Sequence, residues 1–269
     1  MVLCKQLYYS DYWLSGQDGI VDKIQGGSKL RVVLFDLDGT LLPMDQEEFT
    51  KAYLGELSQK GSTLGYGAKE LVHAVMVGLE IMIANDGTMT NEERFWEHFL
   101  AIFGGEVQAH TQEFDRFYQN EFRRVVHATQ PTPVAKQCVE ILKDKGYQLV
   151  LATNPIFPQA ATFERMRWAG LDPEDFVLIT TYDNSRFTKP NLNYYRDILE
   201  IIGAKPEECL MIGNDVQEDL CAAQLGIHVY LVTDDLINSS GEDISHWPQG
   251  DRRDLLQFLQ SLPMVNRWN

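Results

Sequence analysis

The chain has 269 residues, 44% hydrophobic and 23% charged, and a formal charge of −16 from 23 basic and 39 acidic residues. These are the proportions of a soluble globular protein of one large or two smaller domains, long enough to bury a sizeable core. So acidic a surface repels phosphate backbones and anionic lipid, so neither nucleic acid nor a membrane is expected as a partner.

Residues 1–29 hold a cluster of Tyr8, Tyr9, Tyr12 and Trp13 and then turn glycine-rich and polar up to Ser28. They read as an N-terminal extension whose aromatics pack on the body. No apolar signal core is present there, so the expected compartment is the cytoplasm. Residues 30–35 form a short, nearly continuous apolar run rich in β-branched residues, the pattern of a strand buried on both faces. It ends in Asp36-Leu37-Asp38-Gly39-Thr40. In extended backbone Asp36 and Asp38 point the same way, and two close carboxylates repel unless a cation or a shared proton neutralises them. A solvated Asp-rich turn would have the same composition.

A helical block follows from about 45 to about 128. Asp45-x-x-Glu48 is a capping-box pattern, with Phe49, Ala52, Tyr53 and Leu57 at helical spacing behind it. Gly61, Gly65 and Gly67 break the chain. From Ala68 a second helix is apolar almost all round, which predicts burial between other helices. Thr90-x-x-Glu93 starts a third, which Gly104-Gly105 ends, and a fourth carries Phe114, Phe117, Tyr118, Phe122 and Val125.

The pattern changes at Gln130-Pro131-Thr132-Pro133, where Thr132 and Pro133 suit a helix start and Gly146 a helix stop. Short apolar strands at 148–152, 176–180, 209–212 and 228–232 then alternate with helical stretches. Alternation of this kind signals βαβ units and a parallel sheet. With the first strand, five strands are expected: an α/β fold with a doubly wound, mainly parallel sheet.

Strand ends of such sheets are where ligands bind. After 148–152 stand Thr153 and Asn154, after the next strand Thr188-Lys189-Pro190, and after 209–212 the acidic run from Gly213-Asn214-Asp215 to Asp219. Acidic groups after a buried strand are costly without a compensating cation. If the chain is helical from Val216, Asp215 and Asp219 stand one turn apart on the same side. The four cysteines, Cys4, Cys138, Cys209 and Cys221, show no Cys-x-x-Cys spacing and suit free thiols in a reducing compartment. The six histidines have no metal-ligand spacing.

Taken in order, these four strand ends resemble the motifs of the haloacid-dehalogenase-like (HAD) hydrolase superfamily over about residues 30–235. The first, Asp-x-Asp-Gly-Thr-Leu, matches without a departure. In the fourth, Asn214 stands where many members have Asp directly after the glycine. The resemblance implies an HAD-like core from 30–44 and 129–269, with 45–128 inserted as an all-helical cap. It implies an Mg²⁺-dependent phosphatase acting on a small phosphorylated substrate through an aspartyl-phosphate. Asp36 would be the nucleophile and Asp38 the general acid and base. Thr153, Asn154 and Lys189 would bind the phosphoryl group. Asp36, the carbonyl of Asp38 and Asp215 would hold the metal, with Asp219 acting through water and Asn214 hydrogen-bonding nearby. A phosphomutase shares all these motifs. A haloacid dehalogenase would lack the second Asp, here Asp38, and a non-catalytic binding protein would have no need of the full set.

Overall fold

A computed structural model describes residues 30–265; the extension expected at 1–29 lies outside the described residues. The first strand, β1 (Val32–Phe35), is wholly buried. It is joined by β2 (Gln148–Leu151), β3 (Leu178–Ile179), β4 (Cys209–Gly213), β5 (His228–Val232) and β6 (Gln249–Gly250). Every pairing is parallel, in the order β3-β2-β1-β4-β5-β6. The sheet thus has six strands, not the five expected. The sixth is two residues long and neither is apolar, so no hydrophobic run announced it. It is held by ladder bonds such as Thr233 N–H to Gly250 O at 3.0 Å.

The winding reverses at β1, which lies between β2 and β4 with Phe35 opposite both Leu151 and Ile212. Side-chain alternation divides the sheet between two cores. Val33 and Phe35 join one with Leu255 and Phe258, whereas Val32 and Leu34 join the other with Tyr195 and Ile198. Helices α5 (Val134–Asp144) and α8 (Arg252–Ser261) cover the first face and α7 (Leu192–Ile202) the second. The crossover helix α6 (Gln159–Trp168) follows β2 only after an extended stretch through Pro155 and Pro158, so Thr153 and Asn154 do not open that helix.

Between β1 and α5 run α1 (Gln46–Thr63), α2 (Ala68–Ile83), α3 (Asn91–Phe103) and α4 (Thr111–Gln119). Asp45 caps α1 through the N–H groups of Glu47 and Glu48, and the box of Thr90 and Glu93 at α3 is complete. Helix α1 runs through Gly61 instead of stopping there. A Cβ on Gly61 would come within 2.2 Å of Leu71, so the glycine permits close packing of α1 on α2. The single helix expected around 114–125 is broken at Asn120 into α4 and a 3₁₀ segment, Glu121–Ala128. Thr132 does not cap α5; its hydroxyl is buried without a hydrogen-bond partner among the described residues. Burial of α2 also departs from expectation: Leu71, Ala74, Gly78 and Met82 are buried, but Met76 is 41% exposed and Val75 and Leu79 half-buried. Among the described residues no helix is long and apolar enough to cross a membrane.

Candidate active site

The C-terminal ends of β1, β2 and β4 open into one cavity of about 450 Å³, bounded on the other side by α1 to α4. Asp36 follows β1 directly. The backbone then turns back on itself, with Thr40 and Leu42 N–H donating to Leu37 O. Gly39 makes the turn possible with φ +82°, and a Cβ there would stand 2.3 Å from Asn214 Nδ2. Only glycine meets both demands. Asp36 and Asp38 consequently both line the cavity.

Lys189 ties three of the strand ends together. Its ammonium is fully buried and donates to Asp36 Oδ1 at 2.9 Å and to Asp219 Oδ1 at 2.7 Å. Burial alone would lower its pKa, but Asp219 and Asp36 outweigh burial and hold it well above the ordinary lysine value. The lysine is therefore a permanent cation behind the carboxylate. Gly213 keeps the path open, because a Cβ there would lie 2.0 Å from Asp219 Oδ2. Asn154 accepts from Lys189 N–H at 3.2 Å and donates to Glu218 Oε1 at 2.9 Å. Thr153 is buried beside it, and its carbonyl accepts from Tyr194 and Thr180.

The fourth motif adopts turns from Val216 to Asp219, followed by a 3₁₀ segment, Leu220–Leu225, in place of a regular helix. Asp215 Oδ1 accepts from the N–H groups of Gln217 and Glu218, both at 2.8 Å, and the side chain also faces the cavity. Asp219 is buried, one oxygen on Lys189 and the other accepting Asp215 N–H at 3.0 Å. Its carboxylate is thus engaged in fastening Lys189 to the loop. Asn214 accepts from the Thr40 hydroxyl at 2.9 Å and donates to Asp235 O at 2.7 Å, which locks the first and fourth motifs together.

Two arginines were missed from the sequence. Arg165 of α6 is 1% exposed and pairs with Asp38 Oδ2, while its Cζ lies 4.5 Å from the centre of the Phe157 ring. It occupies the stripe of Ala161 and Ala169, otherwise apolar, and a charge on such a stripe was the available signal. Arg252, at the start of α8, donates to Gly39 O at 2.7 Å and Thr40 O at 3.2 Å, and pairs with Asp234 and Asp235. It clamps the turn that carries Asp36 and Asp38.

The electrostatics favour an added cation. Burial, opposed by Lys189 and aided by Asp219 and Asp38, lifts Asp36 to about 7. Burial also raises Asp38 and Asp215, and lifts Glu218 to about 8. Five carboxylates, at 36, 38, 215, 218 and 219, face two buried cations, Lys189 and Arg165. Asp38 Oδ1 is buried with no hydrogen-bond partner among the described residues. Hard oxygen donors with excess negative charge suit Mg²⁺, which keeps several waters and needs few protein ligands. Among the described residues no three His, Cys, Asp or Glu side chains form a ready-made metal group. Asp36 and Asp215 are carboxylates that line the cavity and are available to such an ion.

The chain is similar to known proteins over most of its length. The glyceraldehyde 3-phosphate phosphatase of Methanothermobacter thermautotrophicus is 25% identical over 238 residues, covering 80% of this chain and 91% of that protein. The phosphoglycolate phosphatase of Aquifex aeolicus is 26% identical over 205 residues, 72% of this chain and 80% of that protein. The crystal structure of an HAD phosphatase from Thermococcus onnurineus shares the fold, with a TM-score of 0.56 and 20% identity over 88% of this chain and all of that one. A family model for haloacid dehalogenase-like hydrolases matches residues 30–236, and the chain belongs to that family.

Proposed function

We propose that the protein is a Mg²⁺-dependent phosphomonoesterase working through an aspartyl-phosphate. The observation that carries this reading is the pairing of Asp36, anchored on Lys189, with a second acid, Asp38, in one cavity. A carboxylate nucleophile beside an independent proton donor is what two-step phosphoryl transfer needs.

In the first step an oxygen of Asp36 attacks phosphorus and the ester P–O bond breaks. The departing alkoxide takes the proton of Asp38 and leaves as the alcohol. In the second, water gives a proton to Asp38 and attacks phosphorus, the P–O bond to Asp36 breaks, and inorganic phosphate leaves. Burial keeps Asp38 above the usual carboxylate range, which suits an acid that must hold a proton before giving it up. Thr153 would bind the phosphoryl oxygens and Lys189, behind Asp36, would offset their charge, with Asn154 fixing the lysine backbone. Asp36, Asp215 and the Asp38 carbonyl would hold Mg²⁺, which supplies charge neutralisation and in-line alignment. In this reading Asp219 is the anchor of Lys189, and Asn214 stabilises the turn through Thr40.

The helices within 45–128 act as a cap over a core formed by 30–44 and 129–269, closing the cavity and excluding water during transfer. Free Cys138, Cys209 and Cys221 suit a reducing compartment such as the cytoplasm. The test is hydrolysis of a generic phosphomonoester with Mg²⁺, abolished by EDTA and by Asp36→Asn. Turnover that survives in Asp36→Asn would remove the nucleophile assignment.

A further inference from the structure

We infer that the substrate of this site is the phosphate monoester of an uncharged, largely apolar alcohol or phenol, whose hydrocarbon body lies along α2 and α3. The inference rests on the phosphomonoesterase reading and adds the substrate class. It begins with α2, whose sequence is apolar on nearly every side. One stripe, with Leu71, Ala74 and Gly78, is consumed in helix packing; a Cβ on Gly78 would meet Phe95 at 2.8 Å. A second stripe, Val75, Met76 and Leu79, is only partly covered by protein, with Val75 packed against the edge of the core, and lines the cavity together with Leu71. Phe95 and Trp96 of α3 and Phe157 after β2 continue the apolar wall. Asp36, Asp38 and Thr153 line the same cavity, so an ester bound there at its phosphoryl end extends its alcohol portion onto this wall.

The charge pattern narrows the class. Among the described residues lining the cavity there is no lysine, arginine or histidine, while Asp115 and Glu218 add acidic groups. A second anionic group on the substrate would meet repulsion and no counter-charge. Phosphoglycolate, the compound in the name of the A. aeolicus relative, carries such a carboxylate, and so does phosphoserine. Gln46, Thr50, Tyr53, Tyr118 and Tyr182 also line the cavity, but the hydroxyls of a polyhydroxylated sugar lying along α2 and α3 would be unpaired against Val75, Leu79 and Phe95. The wall along α2 and α3 therefore favours hydrocarbon.

The test uses the full chain with Mg²⁺ and n-alkyl phosphates from ethyl to decyl, beside naphthyl phosphate, phosphoglycolate and phosphoserine. We expect kcat/KM to rise about three- to fourfold per buried methylene until the cavity is filled, and both acidic esters to be poor substrates. A flat series, or preference for an acidic ester, overturns the inference. Absence of phosphate release from every ester would refute the phosphomonoesterase reading itself. Calorimetry with non-hydrolysable n-alkylphosphonates judges the pocket independently of turnover. Affinity that climbs with chain length supports it, and affinity independent of length overturns it. Leu79→Gln, at a half-buried helix position that tolerates an amide, should flatten the phosphonate series. An unchanged slope in this variant, shown by circular dichroism to be folded, would remove α2 from the site.

Discussion

Arg165 and Asp38, 127 positions apart in sequence, form an ion pair at the floor of the cavity. The arginine is buried against Phe157 and held by Thr162 Oγ1 and Ala161 O, so its position is fixed by the packing of α6. Only one oxygen of Asp38 is occupied by it; the other has no hydrogen-bond partner among the described residues. The pair thus aims the proposed acid and leaves the working oxygen free.

Arg165→Met should separate positioning from chemistry. The side chain fills similar volume but removes the charge that lowers the Asp38 pKa. The limb of the kcat/KM pH profile that depends on protonated Asp38 should move to higher pH. Misplacement should reduce kcat by up to about 10²-fold. Stability should fall as well, by about 3 kcal/mol or more, because Asp38 loses its partner. A profile superimposable on wild type would show that Arg165 is structural only.

Asp215 and Asp219 should respond differently to loss of charge. Asp219→Asn leaves buried Lys189 with Asp36 alone, and the cost should appear as lost stability of about 3 kcal/mol in urea unfolding. Asp215→Asn removes a cavity-facing carboxylate whose backbone contacts an amide oxygen can still make. Its effect should be a Mg²⁺ requirement raised about tenfold or more, with little loss of stability. If Asp219→Asn raised the Mg²⁺ requirement more than Asp215→Asn did, the two roles would be reversed.

Local signals explain which features were readable. The strands β1, β2, β4 and β5 are continuous apolar runs, and their order of motifs located Asp36, Thr153, Lys189 and Asp215 at one sheet edge. Strand β6 has no such run and owes its place to pairing with β5. The apolar excess of α2 was visible, but protein covers Val75 and Leu79 only in part and leaves Met76 exposed, and all three line the cavity. Arg165 and Arg252 were missed because their partners are distant in sequence; Arg252 reaches Gly39 O across 213 positions. In the fourth motif a one-turn helical spacing suggested that Asp219 faces the ion. In the structure its carboxylate lines the cavity and also pairs with the buried ammonium of Lys189.

Gly39 can be tested against an internal control. Both Gly39 (φ +82°) and Gly65 (φ +92°) are left-handed, but a Cβ on Gly65 meets nothing within 4 Å. Gly65→Ala should therefore cost about 1–2 kcal/mol, the conformational penalty alone. Gly39→Ala should cost more by pushing Asn214 away from Thr40, and activity should fall with it. Equal losses in denaturant unfolding would mean that contact with Asn214 does not constrain the turn.

The protonation of Asp36 makes stability depend on pH and on the metal in a linked way. Burial, with repulsion from Asp219 and Asp38, outweighs Lys189 and puts the metal-free carboxyl at about 7 against an ordinary value of 3.8. Between these values the folded chain holds a proton that the unfolded chain has released. The stabilising contribution is fully present below about pH 4 and is lost as pH rises through about 7. In EDTA, the Tm of the wild type relative to Asp36→Asn should therefore decline from about pH 5 to about pH 8. Mg²⁺ competes with the proton for the same oxygens, so its stabilisation of the wild type should grow over that range. Asp36→Asn has no proton to lose and should show neither the decline nor the growth. Thermal unfolding of both proteins at each pH, with EDTA or with Mg²⁺, decides the matter. Parallel Tm curves in EDTA would mean that Asp36 is ionised throughout, with Lys189 sufficient to neutralise it.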